Sequence, residues 1–228
     1  MTQYTKHEVI EQLEKEILFG FYNANDLLET ISDMFYNEEN FDENWLKDEI
    51  DTRLKKHQKE SLNWAKPTDF DRLVLAFDSL IKDKIIALHK AGYTRQDGEG
   101  DCAEIIEELN NNGTKVLGYC YYHTQDLERA IGDEPTLFIG YDSYNHNDEL
   151  AMDVANKIVK TLETNGFKVN WNGSLETRIQ ISAINWQKTV DNIDYNYSRV
   201  LDILQPNIPI EDDTILNRKR KPSGNFGR

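Results

Sequence analysis

Apolar positions in the first third of the chain recur at helical spacing. Val9, Leu13 and Ile17 fall every four residues, and Gly20 closes or bends that segment. Asn25 is the expected cap of a second segment, whose stripe is Leu27, Leu28, Ile31 and Phe35. A third follows Asp42, with Leu46, Ile50 and Leu54 on one face. Thr68, three residues before Asp71, makes an acidic variant of the capping box. The run Phe70, Leu73, Val74, Phe77, Leu80 and Ile81 then predicts one buried helix face over residues 68–83.

After residue 85 the pattern becomes mixed. Ile85–Leu88 reads as a short buried strand. Cys102, Ile105, Ile106 and Leu109 mark a helix that stops at Asn111-Asn112-Gly113. Lys115–Tyr122 reads as an aromatic-rich strand, Gln125–Ile131 as a short helix, and Pro135–Tyr141 as another strand. Asn147 caps a long helix with Val154, Ile158 and Leu162 inward, closed by Gly166. FKVNW and ETRIQIS flank an Asn-Gly pair and predict a hairpin. The order β-α-β-α-β-α-β-β predicts an α+β protein: an N-terminal helical region, then a small mixed sheet flanked by helices. The expected divisions are a helical region over residues 1–61, an α/β core over 62–205, and a disordered basic tail over 206–228. Pro206, Pro209 and the run Arg218–Lys221 mark that tail.

Length and composition narrow the class. A chain of 228 residues buries roughly 70% or more of its unfolded surface, so it needs no disulfide or metal staple. The polar start MTQYTKHEVIEQLEKEI does not read as a signal peptide, and no apolar run approaches the ~18 residues of a membrane span. Two cysteines read as reduced thiols, so the expected location is the cytoplasm, with no membrane partner. The net charge of -15 disfavours nucleic acid and favours a basic protein partner. No oligomeric state follows from it.

The acids cluster. Asp33–Asp51 holds eight carboxylates against one lysine, interleaved with Phe35, Tyr36, Phe41 and Trp45. Glu38, Glu39, Asp42, Glu43 and Trp45 are the candidates for an acidic binding edge. The plainer alternative is that the aromatics pack inward and the acids solvate a loop.

Reactive side chains crowd between Leu88 and Ala130. His89, His123, Cys102 and Cys120 are the metal or nucleophile types there. The spacing argues against both roles, since C-x-x-C, H-x-x-x-H and H-E-x-x-H are all absent. No metal and no cofactor is implied. YTRQDGEGD is read as a binding loop in which Gly98 and Gly100 permit unusual backbone angles, with a helix beginning just after. Its acids suit a helix dipole or a cation better than a phosphate. His123 and Asp126, at a helix start, read first as a structural hydrogen-bond cluster.

The strings LHKAGYTRQDG, GYCYYHTQDLERA and GFKVNWNGSLETRIQI, with PTDFDRL before them, resemble a bacterial family of unknown function. The resemblance spans roughly residues 62–187. Its elements are L-H-x-A-G-Y-T-x-x-D-G, G-Y-C-x-Y-H-x-Q-D-L-E-R and W-x-G-x-x-x-T-R-I. It implies that His89, Gly92, Tyr93, Thr94, Asp97, Gly98, Tyr119, His123, Gln125, Asp126, Arg129, Thr177 and Arg178 are family motif positions. It implies no activity.

Two functional readings remain. One is an acidic protein-binding module, an inhibitor or immunity-type protein that neutralises a basic partner. The other is a hydrolase or small-ligand-binding domain with a polar pocket around His89 and His123. For the latter, the ligand or partner candidates are His89, Tyr93, Thr94, Asp97, Tyr119, His123, Gln125, Asp126, Arg129 and Arg178; no catalytic residue is assigned. Convergence of His, Asp and Arg side chains on one cleft would favour the pocket.

Overall fold

Each N-terminal apolar stripe forms a helix, and the three stripes share one core. In the computed structural model, which describes residues 1–206, the helices are α1 (Gln3–Phe19), α2 (Ala24–Met34) and α3 (Glu43–Ser61). Val9, Leu13, Ile17, Leu27, Ile31, Leu46 and Ile50 make their common core. Burying a side chain of this size contributes about 1.5–3 kcal/mol. The cap of α2 is Asn23 rather than Asn25. The Asn23 side chain accepts from the N–H groups of Asn25 and Asp26, and the Asp26 carboxylate accepts from the Asn23 N–H at 3.2 Å. That reciprocal pair satisfies more donors than Asn25 alone would. Asp42 caps α3 as expected.

Residues 1–68 form a compact unit together with Gln187–Ile193. That returning segment inserts Lys188, whose buried ammonium donates to the Gly20 carbonyl at 2.8 Å and lies 3.2 Å from the Asp191 carboxylate. A buried charge needs such partners.

The second unit is Asp69–Trp186, joined among the described residues by 194–206. Its elements are α4 (Asp69–Lys82), β1 (Ile85–Leu88), α5 (Arg95–Asn111), β2 (Gly118–Tyr121), α6 (Thr124–Ala130), β3 (Thr136–Ser143), α7 (Asp148–Thr164), β4 (Lys168–Asn170), β5 (Ile179–Ser182) and α8 (Tyr197–Leu204). The sheet order is β1-β2-β3-β5-β4. β1 and β2 run parallel through the α5 crossover, and the other neighbours are antiparallel. The protein is therefore α+β, a mixed sheet flanked by helices. α4 and α7 pack on each other and on the sheet, α5 on β1 and β2, and α6 on β3.

Three local expectations change. Val74 is half-buried and Ala76 takes the buried position on α4. The predicted strand at 115–122 begins only at Gly118. The hairpin of β4 and β5 is closed by residues 171–178, not by a two-residue Asn-Gly turn. Tyr141 Oη reaches the carbonyls of Ser174 and Thr177, and Thr177 Oγ1 bonds Asn172 at 2.6 Å, so the longer loop is pinned by its own side chains. The exposed edge of β1 is covered locally: the Asn196 amide accepts from the His89 N–H and donates to the His89 carbonyl, each at 2.7 Å.

No helix among the described residues is long and apolar enough to cross a membrane. The predicted basic tail, Arg218–Lys221 included, lies outside the described residues from 207 on.

Candidate functional site

Two helix starts are tied together by one glycine. Gly92 follows β1 with φ +61, and its carbonyl accepts from both Thr124 N (3.1 Å) and Thr124 Oγ1 (2.9 Å) at the first residue of α6. Two residues on, Thr94 caps α5. The Asp97 carboxylate accepts from Thr94 N (2.8 Å), Thr94 Oγ1 (2.9 Å) and Tyr93 N (3.2 Å). Those bonds, the Thr94 N–H foremost, lower the pKa of Asp97. With this capping box the helix begins at Arg95. The stretch read as a glycine-rich loop is thus mostly the first turns of α5, and Gly98 and Gly100 are helical. Gly98 is there for proximity: a Cβ would sit 2.5 Å from the Tyr121 ring.

Gly92→Ala is expected to disrupt both starts. The new Cβ would fall 2.2 Å from Asp97 Cβ, on a backbone angle that L side chains rarely adopt. The variant should be less stable than the parent by about 1–3 kcal/mol, read as a lower denaturant midpoint. A midpoint unchanged from the parent would contradict this assignment.

Asp126, fully buried at the third position of α6, is the hub of the site. Arg178, just before β5, donates from Nη1 to both Asp126 oxygens at 2.9 and 3.1 Å. Arg129 donates from Nη1 to Asp126 Oδ1 (3.3 Å) and to the Gln125 carbonyl (3.0 Å). The guanidinium carbons of Arg178 and Arg129 lie 4.8 and 5.9 Å from the centre of the Phe138 ring on β3. The ring supports both planar groups.

His123 stands at the cap position of α6 with its side chain only 4% exposed. Its Nδ1 is 3.2 Å from Asp126 Oδ2, within ion-pair distance, yet off the line of a hydrogen bond. Nε2 is 3.4 Å from Arg178 Nη1, a group that only donates. Nε2 is therefore assigned as acceptor, and the ring proton as Nδ1–H facing Asp126. Burial lowers the pKa of His123; Arg178 and Arg129 lower it further, against the opposing pull of Asp126 and Asp97. The sign follows. The unfolded chain takes up this proton first as pH falls below about 6.5, so His123 contributes a loss of stability on acidification from there through its lower folded pKa. Substituting His123→Gln should flatten that part of the stability profile measured between neutral and mildly acidic pH. An unchanged slope would contradict a buried neutral imidazole.

Thr94, Arg95, Gln96, His123, Gln125, Arg129 and Arg178 line one open cleft of about 560 Å³. This size falls within the roughly 300–1,000 Å³ of small-molecule sites. Five of these residues are among the sequence-derived candidates. Arg95 and Gln96 belong to the YTRQDGEGD stretch without being singled out by it; the helix start at Arg95 is what makes them first-turn positions on the cleft. Asp97 and Asp126 hold the walls from behind.

Other candidates lie elsewhere. His89 does not belong to this pocket: it is buried, with Nδ1 2.8 Å from Tyr122 Oη and its ring against Phe70, Phe77, Tyr122 and Tyr195. Tyr119 is buried on β2 and stacks on Tyr121. Tyr93 contributes a backbone N–H to the α5 cap. Cys102 and Cys120 are both buried free thiols whose pKa values are pushed up by burial. Among the described residues no three His, Cys, Asp or Glu side chains converge to hold a metal ion.

In the helical unit, Phe35, Phe41 and Trp45 pack half-buried against the α1–α3 core, and Lys6 Nζ lies 4.8 Å from the Trp45 ring centre. Glu38, Glu39, Asp42 and Glu43 are exposed, as is Tyr36 at 77%.

No curated protein and no solved structure matches the chain. The sequence does match the family described as Domain of unknown function (DUF6891), over residues 2–190. That span takes in α1–α3, which the motif resemblance over residues 62–187 left outside. With most of its length inside that match, the chain belongs to this family of domains of unknown function.

Proposed function

We propose that this chain is a small-ligand-binding domain whose site is the cleft at the starts of α5 and α6. One observation carries the reading. Arg129 and Arg178, from separate elements, converge with His123 on one concave surface of a protein whose net charge is -15. Guanidinium groups gathered on a concave face, over an aromatic ring, make a recognition site for a polar ligand. The motif resemblance points the same way. Thr94, His123, Gln125, Arg129 and Arg178 all fall on its named positions and all line the cleft. The two buried free thiols fit a reducing, cytoplasmic setting.

The test is residue-resolved. Backbone amide resonances of the labelled protein are recorded while a dialysable metabolite extract is added. The reading expects shifts concentrated at Thr94, Gln96, His123, Gln125 and Arg178. Shifts absent there, with an extract that perturbs other regions, would overturn it.

A second reading rests on the exposed carboxylates Glu38, Glu39, Asp42 and Glu43 beside exposed Tyr36. On that reading the helical unit docks a basic protein, as an immunity-type inhibitor would. Association should then slow as salt shortens electrostatic reach to about 8 Å at physiological ionic strength. The combined reversal Glu38→Lys, Glu39→Lys, Glu43→Lys should lower the on-rate more than it raises the off-rate. A basic partner indifferent to both would remove this reading.

A further inference from the structure

We propose that the group this cleft takes is a phosphoryl group carried on a small organic molecule; the proposal rests on the ligand-binding reading above. The donor inventory comes first. Arg178 spends Nη1 on Asp126 and faces His123 with it, so Nε and Nη2 have no acceptor among the described residues. Arg129 likewise spends Nη1 on Asp126 and Gln125, leaving Nε and Nη2. Both side chains are partly open to solvent, at 30% and 51% exposed. Two guanidinium forks therefore keep unspent donors at one cleft.

Charge comes next. Arg129 and Arg178 share the single Asp126 carboxylate, so one positive charge of the trio is uncompensated. Arg95 adds a third guanidinium, which Glu99 neutralises at 2.8 Å. The third element is α5 itself, a 17-residue helix whose first two residues, Arg95 and Gln96, line the cleft. First-turn N–H groups lack intrahelical acceptors and carry the positive end of the helix dipole. His123 lines the same place, with Nδ1 turned to Asp126 and Nε2 to Arg178, so the donors left for a ligand are those of the guanidiniums.

Geometry favours phosphoryl over carboxylate. One guanidinium fork matches both oxygens of a planar carboxylate edge to edge, so a second fork adds less for a carboxylate than for a group with a third oxygen. Here two forks from different elements and a helix start surround one space, which suits a tetrahedral group with three outward oxygens. The cleft volume leaves room for an organic remainder. Asp97 keeps its negative charge at the α5 start, but its carboxylate is turned to the Tyr93 and Thr94 donors and does not line the cleft, so the anion must be held by Arg129 and Arg178 rather than by the helix start alone.

Isothermal titration of the full chain with inorganic phosphate and, separately, with acetate tests this. Phosphate should bind saturably, and acetate about tenfold more weakly or less. Arg129→Gln should weaken phosphate about tenfold, the scale of one lost charge-assisted hydrogen bond. Arg178→Lys should weaken it by a similar factor, and Lys56→Gln in the helical unit should leave it unchanged. If Arg178→Lys fails to fold, Arg129→Gln still decides. Acetate equal to phosphate, or phosphate binding indifferent to Arg129→Gln, would overturn the proposal. If phosphate does not bind while the metabolite extract still marks the cleft, this inference falls and the ligand-binding reading stands. If neither marks the cleft, both fall.

Discussion

Truncating Phe77 to alanine is expected to destabilise the fold by about 3–5 kcal/mol. Phe77 is 1% exposed on the inner face of α4. Its ring centre is 4.4 Å from that of His89 and 6.1 Å from that of Tyr122. Removing it leaves a cavity among rigid rings that collapse poorly, so the cost includes both lost transfer and unfilled volume. It should also release His89, whose Nδ1 contact with Tyr122 Oη depends on the ring stack. Chemical denaturation reads the effect directly. A loss under about 1 kcal/mol, the range of surface substitutions, would mean that the α4 face is not packed as described.

The second large effect is expected at Asp126. Replacing it with alanine removes the common acceptor of Arg178 and Arg129 and the carboxylate that reciprocates the His123 N–H. Breaking a buried ion pair typically costs about 3–5 kcal/mol, because the remaining charge is stranded. Here both guanidiniums reach solvent, so the cost is discounted to about 2–3 kcal/mol. Asp126→Asn keeps the shape but turns an amide NH₂ towards a guanidinium, and should recover only part of the loss. Equal stability of the alanine variant and the parent would show that Asp126 does not organise the cleft walls.

Much of this arrangement was legible in the chain, and the failures have physical causes. The long amphipathic helices were readable because their apolar spacing matched one face over several turns, as with Leu73, Phe77 and Leu80. The element order of the sheet was readable from short apolar runs alternating with capped helices. Asn23 was missed because a cap depends on reciprocal backbone geometry with Asp26, not on residue type alone. Gly98 and Gly100 suggested a loop by their intrinsic freedom. The Thr94–Asp97 box overrode that preference, and the Tyr121 ring demanded a residue without Cβ at position 98.

The cleft was half legible. His123 and Asp126 share a helix start and read as one cluster from the sequence, while Gln125, Arg129 and Arg178 enter as positions that the motif resemblance implies. Arg178 lies far along the chain, and only the pairing of β5 with β3 brings it over Phe138. His89 and His123 each stand one or two residues beyond a strand end. Those strands, β1 and β2, are parallel neighbours, yet one histidine turns into the aromatic core and the other into the cleft. Side-chain direction after a strand end is set by packing, which the local sequence does not display.

The most direct test of the cleft as an oxyanion site reads the arginine side chains themselves. The Nε–Hε resonances of Arg129 and Arg178 are followed as inorganic phosphate is added to the full chain at constant ionic strength. Both should shift and saturate together, while those of Arg199, paired with Asp78, and Arg53, paired with Glu14 and Glu49, stay in place. A small unsaturated drift common to all four arginines would contradict the account.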